Sequence, residues 1–339
     1  MKEAAVLAVD AGGTGCRAAL CNQDGQLLGF AQGNSCNYHN IGIEKAAESL
    51  IVLLTALSKK QALHINCVVF GLAGLDTTKD EAILTLIANQ ALTAANIATD
   101  TIYLCNDAIL TLKGTVGQTN GVLIAAGTGS IACGVTKEGL ETRVGGWGHR
   151  VGDEGSGYSI GKAAIAHVLK SYDGREKPSG ISAAILSAMS FANEEDLIHW
   201  VYSSRFSVAQ VAALTPVILR LAEDGDWQGN KIIQRACQDL VDMALTVVRK
   251  LDLLGAEFSL VLSGGVLKNP FVRRPVIQLL TGTCPGLQVV SPSGQPICAG
   301  LRYGLMTLGF DNPTSLNQLS LQLAQICNER TDISGSSCR

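Results

Sequence analysis

The chain has 339 residues, 47% hydrophobic and 16% charged, a balance that suits a compact soluble fold and excludes a disordered chain. That length is enough for two domains of ordinary size. A net charge of -3 provides no basic face for a phosphate backbone, so nucleic acid is not an expected partner.

Met1-Lys2-Glu3 runs directly into a strand-like stretch, which leaves no room for a signal peptide. No apolar run approaches the ~20 residues of a membrane helix, so a cytoplasmic location without membrane partners is expected. The 11 cysteines are scattered, with no CxxC or Cys/His metal spacing. Several, such as Cys67, Cys105, Cys133 and Cys237, lie in apolar stretches, so buried free thiols are expected rather than a disulfide framework.

Residues 4–9 form a continuous β-type apolar run ending in Gly12-Gly13-Thr14-Gly15. Residues 16–22 follow as a second strand, Asp24-Gly25 marks a hairpin turn, and residues 26–31 make a third strand. Residues 43–58 show helical periodicity, with Ala46, Leu50, Leu53, Leu54 and Leu57 on one side. A buried strand over 66–71, a helix over 79–95 and a buried strand over 101–105 come next. Asn106-Asp107 closes that strand and opens a helix.

The order then restarts. Strand 122–126 leads into the glycine turn Gly127-Thr128-Gly129-Ser130, followed by strands 131–136 and 140–144 and a helix starting near Asp153. After a helix-rich stretch to about residue 254, strand 258–262 ends in Ser263-Gly264-Gly265. A helix from Asn269, strand 287–290 and a helix from about Pro296 complete the pattern. We read a duplicated three-layer α/β domain with a cleft between the halves. The expected domains are 1–117 and 118–325, the second with a helical insertion over about 170–254, followed by a tail over 326–339. A linker and hinge are expected near 113–120, which is rich in Gly, Thr and Asn.

Neither glycine turn opens a βαβ crossover, which argues against a Rossmann dinucleotide site, and no G-x-x-x-x-G-K-[ST] is present. Two glycine-tipped hairpins can instead grip a polyphosphate through backbone N–H groups and the hydroxyls of Thr14, Thr128 and Ser130. Only the first hairpin carries an acid, Asp10, where the second has Ala125-Ala126; that asymmetry places a Mg²⁺ on the Asp10 side.

Asp10-Ala11-Gly12-Gly13-Thr14, Leu104-Cys105-Asn106-Asp107, Gly127-Thr128-Gly129-Ser130 and Ser263-Gly264-Gly265 resemble the phosphate, catalytic and adenosine segments of the sugar kinase–heat-shock–actin ATPases. Gly145-Gly146-Trp147-Gly148-His149 with Gly152-Asp153-Glu154-Gly155-Ser156 is narrower. It resembles the N-acetylglucosamine kinase branch of the group named for benzoyl-CoA reductase ATPase subunits, the BadF/BadG/BcrA/BcrD ATPases. The resemblance runs from about Val6 to about Gly309 and implies two ribonuclease H-like domains of the actin/hexokinase type, each a βββαβαβα unit.

It also implies roles. ATP would be held by Gly12, Gly13, Thr14, Thr128, Gly129, Ser130, Gly264 and Gly265, with Mg²⁺ on Asp10. Asp107 would deprotonate a sugar 6-hydroxyl; the same residue is also a plausible cap for the helix that begins near Ala108. Asn37, Gly146, Trp147 and Asp153 would contact the sugar, although Asn37 suits an Asx-turn and Trp147 a core position. Acids such as Asp153 and Glu154 also favour a helix start whatever the function. Glu154 is a weaker candidate, His149 need not be catalytic, and Arg17 and Arg150 are candidate phosphate ligands that read more readily as surface charges. N-Acetylglucosamine leads as substrate, followed by glucosamine and N-acetylmuramic acid. An iron–sulfur ATPase activator of an acyl-CoA dehydratase or reductase is the first alternative, and a non-catalytic sugar sensor the second. A homodimer is the expected assembly.

Overall fold

The computed structural model describes residues 4–12, 15–59, 61–292, 294–310, 312 and 318–325. Two compact units emerge, one comprising Met1–Gln118 with Ser291–Arg339, the other Thr119–Val290.

In the first unit, strands β1 (Val6–Ala11), β2 (Gly15–Cys21) and β3 (Leu27–Asn34) form an antiparallel meander. A single turn, α1 (Tyr38–Ile41), and helix α2 (Ile43–Ser58) lead to β4 (Leu63–Leu72), helix α3 (Thr78–Ala94), β5 (Ile97–Cys105) and helix α4 (Asp107–Val116). The sheet order is β3-β2-β1-β4-β5, with β4 and β5 parallel to β1. The alternation along β1 shows why both faces need cover. Leu7, Val9 and Ala11 join a cluster with Leu50, Leu53 and Leu54 of α2, while Val6 and Ala8 join Leu110 of α4 on the other face. Strands apolar on both sides are stable only between helical layers.

The second unit repeats this plan. Strands β6 (Gly121–Ala126), β7 (Ser130–Val135) and β8 (Glu141–Gly145) form the meander. Helices α5 (Gly157–Tyr172), α6 (Gly180–Met189), α7 (Glu194–Val201), α8 (Val208–Ala212), α9 (Thr215–Glu223) and α10 (Trp227–Lys250) follow. Then come β9 (Phe258–Ser263), α11 (Gly265–Lys268), α12 (Pro270–Thr283) and β10 (Leu287–Val290). The order β8-β7-β6-β9-β10 matches the first sheet strand for strand, with β9 parallel to β6 and β10 to β9. The expected duplication is therefore present, and both ladders fix its alignment. Asp10 pairs with Gly71 of β4 where Ala125 pairs with Ser263 of β9, so these two positions correspond.

The chain differs from the sequence expectation in three places. Helix α13 (Pro296–Thr307) belongs with the first unit rather than with a continuous 118–325 segment. Its Ile297, Leu301 and Leu305 bury against Val6, Ala8, Val69 and Leu110, a face that residues 1–117 alone leave bare. Within the expected linker at 113–120, residues 113–116 form the last turn of α4. Not every cysteine is a free thiol, because Cys16 and Cys36 form a disulfide. Cys16, second in β2, pairs with Gly33 of β3, and Cys36 follows two residues after the end of β3, an adjacency that sequence spacing does not reveal. The other cysteines of the described residues form no disulfide, and burial lifts the Cys67 and Cys237 thiols to about 11. The expected tail at 326–339 lies outside the described residues.

Candidate active site

The two glycine turns sit at matching strand ends. Gly12 N–H donates to Gly15 O at 3.0 Å, and Gly127 N–H donates to Gly129 O at 2.9 Å. Gly13 and Thr14 lie outside the described residues.

In the first unit, one row across the sheet brings the acids together. Asp10 on β1, Gly71 on β4 and Cys105 on β5 are register partners, and Asp107 follows two residues beyond Cys105. Gly71 makes room there: a Cβ at this position falls 2.6 Å from Leu110 Cδ2 and 3.5 Å from the Asp107 Cα. Burial raises Asp10 to about 6, helped by the charge of Asp107 and opposed by Arg17. Burial also raises Asp107 to about 6, against the Ala108 N–H, with Asp76 adding repulsion. A carboxylate poised near neutrality suits general-base work.

Capping of α4 falls to Asn106, whose Oδ1 accepts from Ala108 N at 3.0 Å. Asp107 is the first helical residue, and its carboxylate also accepts from Ala108 N at 3.0 Å. The alternative role foreseen for Asp107 as the cap thus passes to its neighbour. Asn37 does form the expected Asx-type turn: it caps α1 by accepting from His39 N at 3.0 Å. Its carboxamide lies against Gly74, where a Cβ would come within 3.0 Å of Asn37 Oδ1.

In the second unit, the glycine turn is braced from below. Asp153 Oδ1 accepts from Ser130 N at 3.2 Å, and Ser130 Oγ donates to Glu154 O at 2.6 Å. Ser130, 4% exposed, thus spends both donors inside the protein and supports the turn instead of presenting a hydroxyl. Asp153 does not begin a helix. It holds a left-handed φ of 64°, and α5 starts later, at Gly157, capped by Ser156. Burial raises the Asp153 carboxyl, while the Ser130 N–H and His149 lower it. Its position under the turn is tight, since a Cβ on Gly129 falls 2.8 Å from Asp153 Oδ1.

Gly145, Gly146 and Gly148 all adopt positive φ, a conformation that costs other residues 1–2 kcal/mol, roughly. Between them Trp147 is 58% exposed, with the Arg143 guanidinium 4.2 Å from its ring centroid. Trp147 is therefore outside the core, and its ring is held by a cation on one face. His149 meets Tyr158 edge-on at 5.4 Å, and Arg150 is exposed.

Thr128 and Gly265, far apart in sequence, line one cavity of about 430 Å³ within the second unit. Gly264 makes this possible, because its φ of 92° and a Cβ position 2.3 Å from Ala126 O admit glycine alone. Most of the remaining wall comes from Ala209, Ala212, Ala213, Thr215, Pro216 and Leu219 of α8 and α9 and the link between them. The sequence assigns these helices to an insertion and gives no sign of that role. A larger cavity of about 590 Å³, between α10 and α12, includes none of the predicted site residues. Also missed were Asp76 and Asp80, although Thr77-x-x-Asp80 has the spacing of a capping box and forms one.

The BadF/BadG/BcrA/BcrD ATPase family model matches residues 7–293. The chain is 31% identical over 282 residues to the N-acetyl-D-glucosamine kinase of Dictyostelium discoideum, covering 79% of this chain and 87% of that one. It is 30% identical over 269 residues to the N-acetylmuramic acid/N-acetylglucosamine kinase of Clostridium acetobutylicum, covering 78% and 86%. Among solved structures, a candidate N-acetylglucosamine kinase from Chromobacterium violaceum aligns with TM-score 0.69 and 26% identity over 90% of this chain and 100% of that one. A ROK family glucokinase from Streptomyces griseus shares the fold at TM-score 0.54 and 16% identity, over 89% and 98%.

Proposed function

The chain belongs to the BadF/BadG/BcrA/BcrD ATPase family, and we propose that it is an ATP-dependent amino-sugar kinase that converts N-acetylglucosamine to its 6-phosphate. The observation that carries the nucleotide side is the cavity joining the Thr128 turn to the Gly265 turn, which suits an adenosine with its phosphates at the glycines. The amino-sugar assignment is supported by the kinases at 30–31% identity. The glycine-framed, exposed Trp147 adds an apolar face of the kind a pyranose ring stacks on.

In this reading Asp107 accepts the proton of the 6-hydroxyl as that oxygen attacks the γ-phosphorus, and ADP leaves with the bridging oxygen. Asn37 orients the sugar through the amide group left over from its capping bond. Gly12, Gly13, Thr14, Thr128 and Gly129 cradle the phosphates, while Ser130 and Asp153 hold the second turn in shape. Asp10, a partly buried carboxylate without an acidic counterpart at Ala125, fits a largely hydrated Mg²⁺. The ion's contribution when bound is to neutralise charge on the transferring phosphate. The expected cytoplasmic location and homodimer are carried into the proposal unchanged.

An ADP-release screen over hexoses and amino sugars, run on the protein and on Asp107→Asn, tests the proposal. One amino sugar should stand out, and the variant should lose about 10³-fold in kcat, the scale of general-base catalysis. Retained activity in Asp107→Asn removes Asp107 as the base, and turnover independent of any sugar removes the kinase reading.

A further inference from the structure

A buried carboxylate outside the reacting centre ties together the segments that carry Asn37 and Asp107. Asp80 is 5% exposed and sits in the first turn of α3. Its Oδ2 accepts from Thr77 N at 2.7 Å, Thr77 Oγ1 at 2.8 Å and Asp76 N at 3.1 Å. Its Oδ1 accepts from the Tyr38 hydroxyl and lies 3.4 Å from His39 Nε2. Tyr38 and His39 are the residues immediately after Asn37, and their rings stack with centroids 4.1 Å apart.

The segment they belong to follows the bonded Cys36 and packs only in part, through Tyr38 and Ile41, against the core. Helix α1 has four residues and no buried side chain, far short of the ~12 at which a helix gains stability of its own. Asp80 adds a buried polar tether to the partial packing of Tyr38 and Ile41 against the core. The opposite end of the same loop reaches the base: Asn106 Nδ2 donates to Asp76 Oδ1 at 3.3 Å, while Asn106 Oδ1 caps the helix of Asp107. Gly74, between the two ends, gives the Asn37 carboxamide the space it occupies. His39, Asp76 and Asp80 also present ligand atoms within 4.8 Å of one another. The Asp80 oxygens, however, are already filled by protein donors, which makes the cluster a tether and not a cation seat.

We propose that Asp80, acting through Tyr38 and His39, is a positioning residue that sets affinity for the acceptor sugar by holding Asn37 in its binding orientation. This rests on the reading of Asn37 as a sugar contact. A preorganised segment spares the sugar the entropy of ordering it, so the tether acts on sugar binding and leaves the nucleotide side alone. N-Acetylglucosamine and ATP kinetics on Tyr38→Phe, Asp80→Asn and the double variant test it. Tyr38→Phe removes one hydroxyl and keeps the ring, so it reports even where Asp80→Asn fails to fold. The expected result is a sugar KM raised about tenfold in each single variant, with ATP KM and kcat within about twofold, the loss of one buried hydrogen bond. The double variant should be no worse than Asp80→Asn, since both break the same link. An unchanged sugar KM in Tyr38→Phe overturns the proposal, as does a parallel loss of kcat and ATP affinity. A wild-type protein that phosphorylates no amino sugar overturns the kinase reading instead, so the two failures are distinct.

Discussion

Asp10 and Asp107 each keep their proton up to about pH 6, and burial is the main reason for both. The consequence has opposite signs for activity and for stability. An acid whose pKa is higher folded than unfolded binds more protons in the native state between the two values. Stability therefore decreases as pH rises from the ordinary 3.8 to about 6, and is greatest below that window as far as these two groups are concerned. The proposed base works only when ionised, so activity should vanish over the range where these acids stabilise the fold. We expect kcat/KM for the sugar to fall about tenfold per pH unit below about 6, while the melting temperature does not fall in step. Parallel pH profiles of turnover and thermal melting check this. An acidic limb that coincides with unfolding removes Asp107 titration as its cause.

At the scale of elements, α4 and α13 pack backbone against backbone at Gly114. A Cβ on Gly114 would lie 2.2 Å from Ala299 O and 2.4 Å from its Cα, both backbone atoms that cannot rotate away. Helix propensity alone would make Gly114→Ala stabilising by about 1 kcal/mol. Overpacking against a rigid neighbour costs about 1–3 kcal/mol or more, so the clash should win. We expect Gly114→Ala to lower stability by about 2 kcal/mol in urea unfolding, with reduced activity because α4 carries Asp107 at its start; a neutral or stabilising effect shows that the helices separate at little cost. The sequence reading was sound for α2, whose apolar stripe faces the core as the periodicity implied. It erred where spacing along the chain says nothing about what lies opposite. A helix start near Asp153 is expected from the sequence, yet α5 begins at Gly157 and the Asp153 carboxylate turns inward to the backbone N–H of Ser130 on β7. The cavity wall from α8 and α9 was missed for the same reason, because small residues in an amphipathic segment carry no sign of which surface they will face.

At the scale of the molecule, duplication makes the halves alike in sheet order but not in how each is completed. The second unit is one continuous segment, Thr119–Val290. The first needs a return of the chain: α13 and the helical residues 318–325 supply Ile297, Leu301, Leu305, Leu319 and Leu323 to the cluster over Val6, Ala8, Val69 and Leu110. Leaving such side chains in water costs roughly 1.5–3 kcal/mol apiece, so losing all five at once is comparable to the usual margin of about 5–15 kcal/mol of a folded domain. Removing the whole return segment does that, whereas single substitutions would not. Residues 119–290 expressed alone should therefore fold cooperatively, while residues 1–118 alone should not. Fusing 291–339 to 1–118 through a flexible linker should restore a cooperative melt, read by circular dichroism. A stable, cooperatively melting 1–118 fragment would show that the sheet face under α13 tolerates exposure, and that the returning segment serves some purpose other than completing the core.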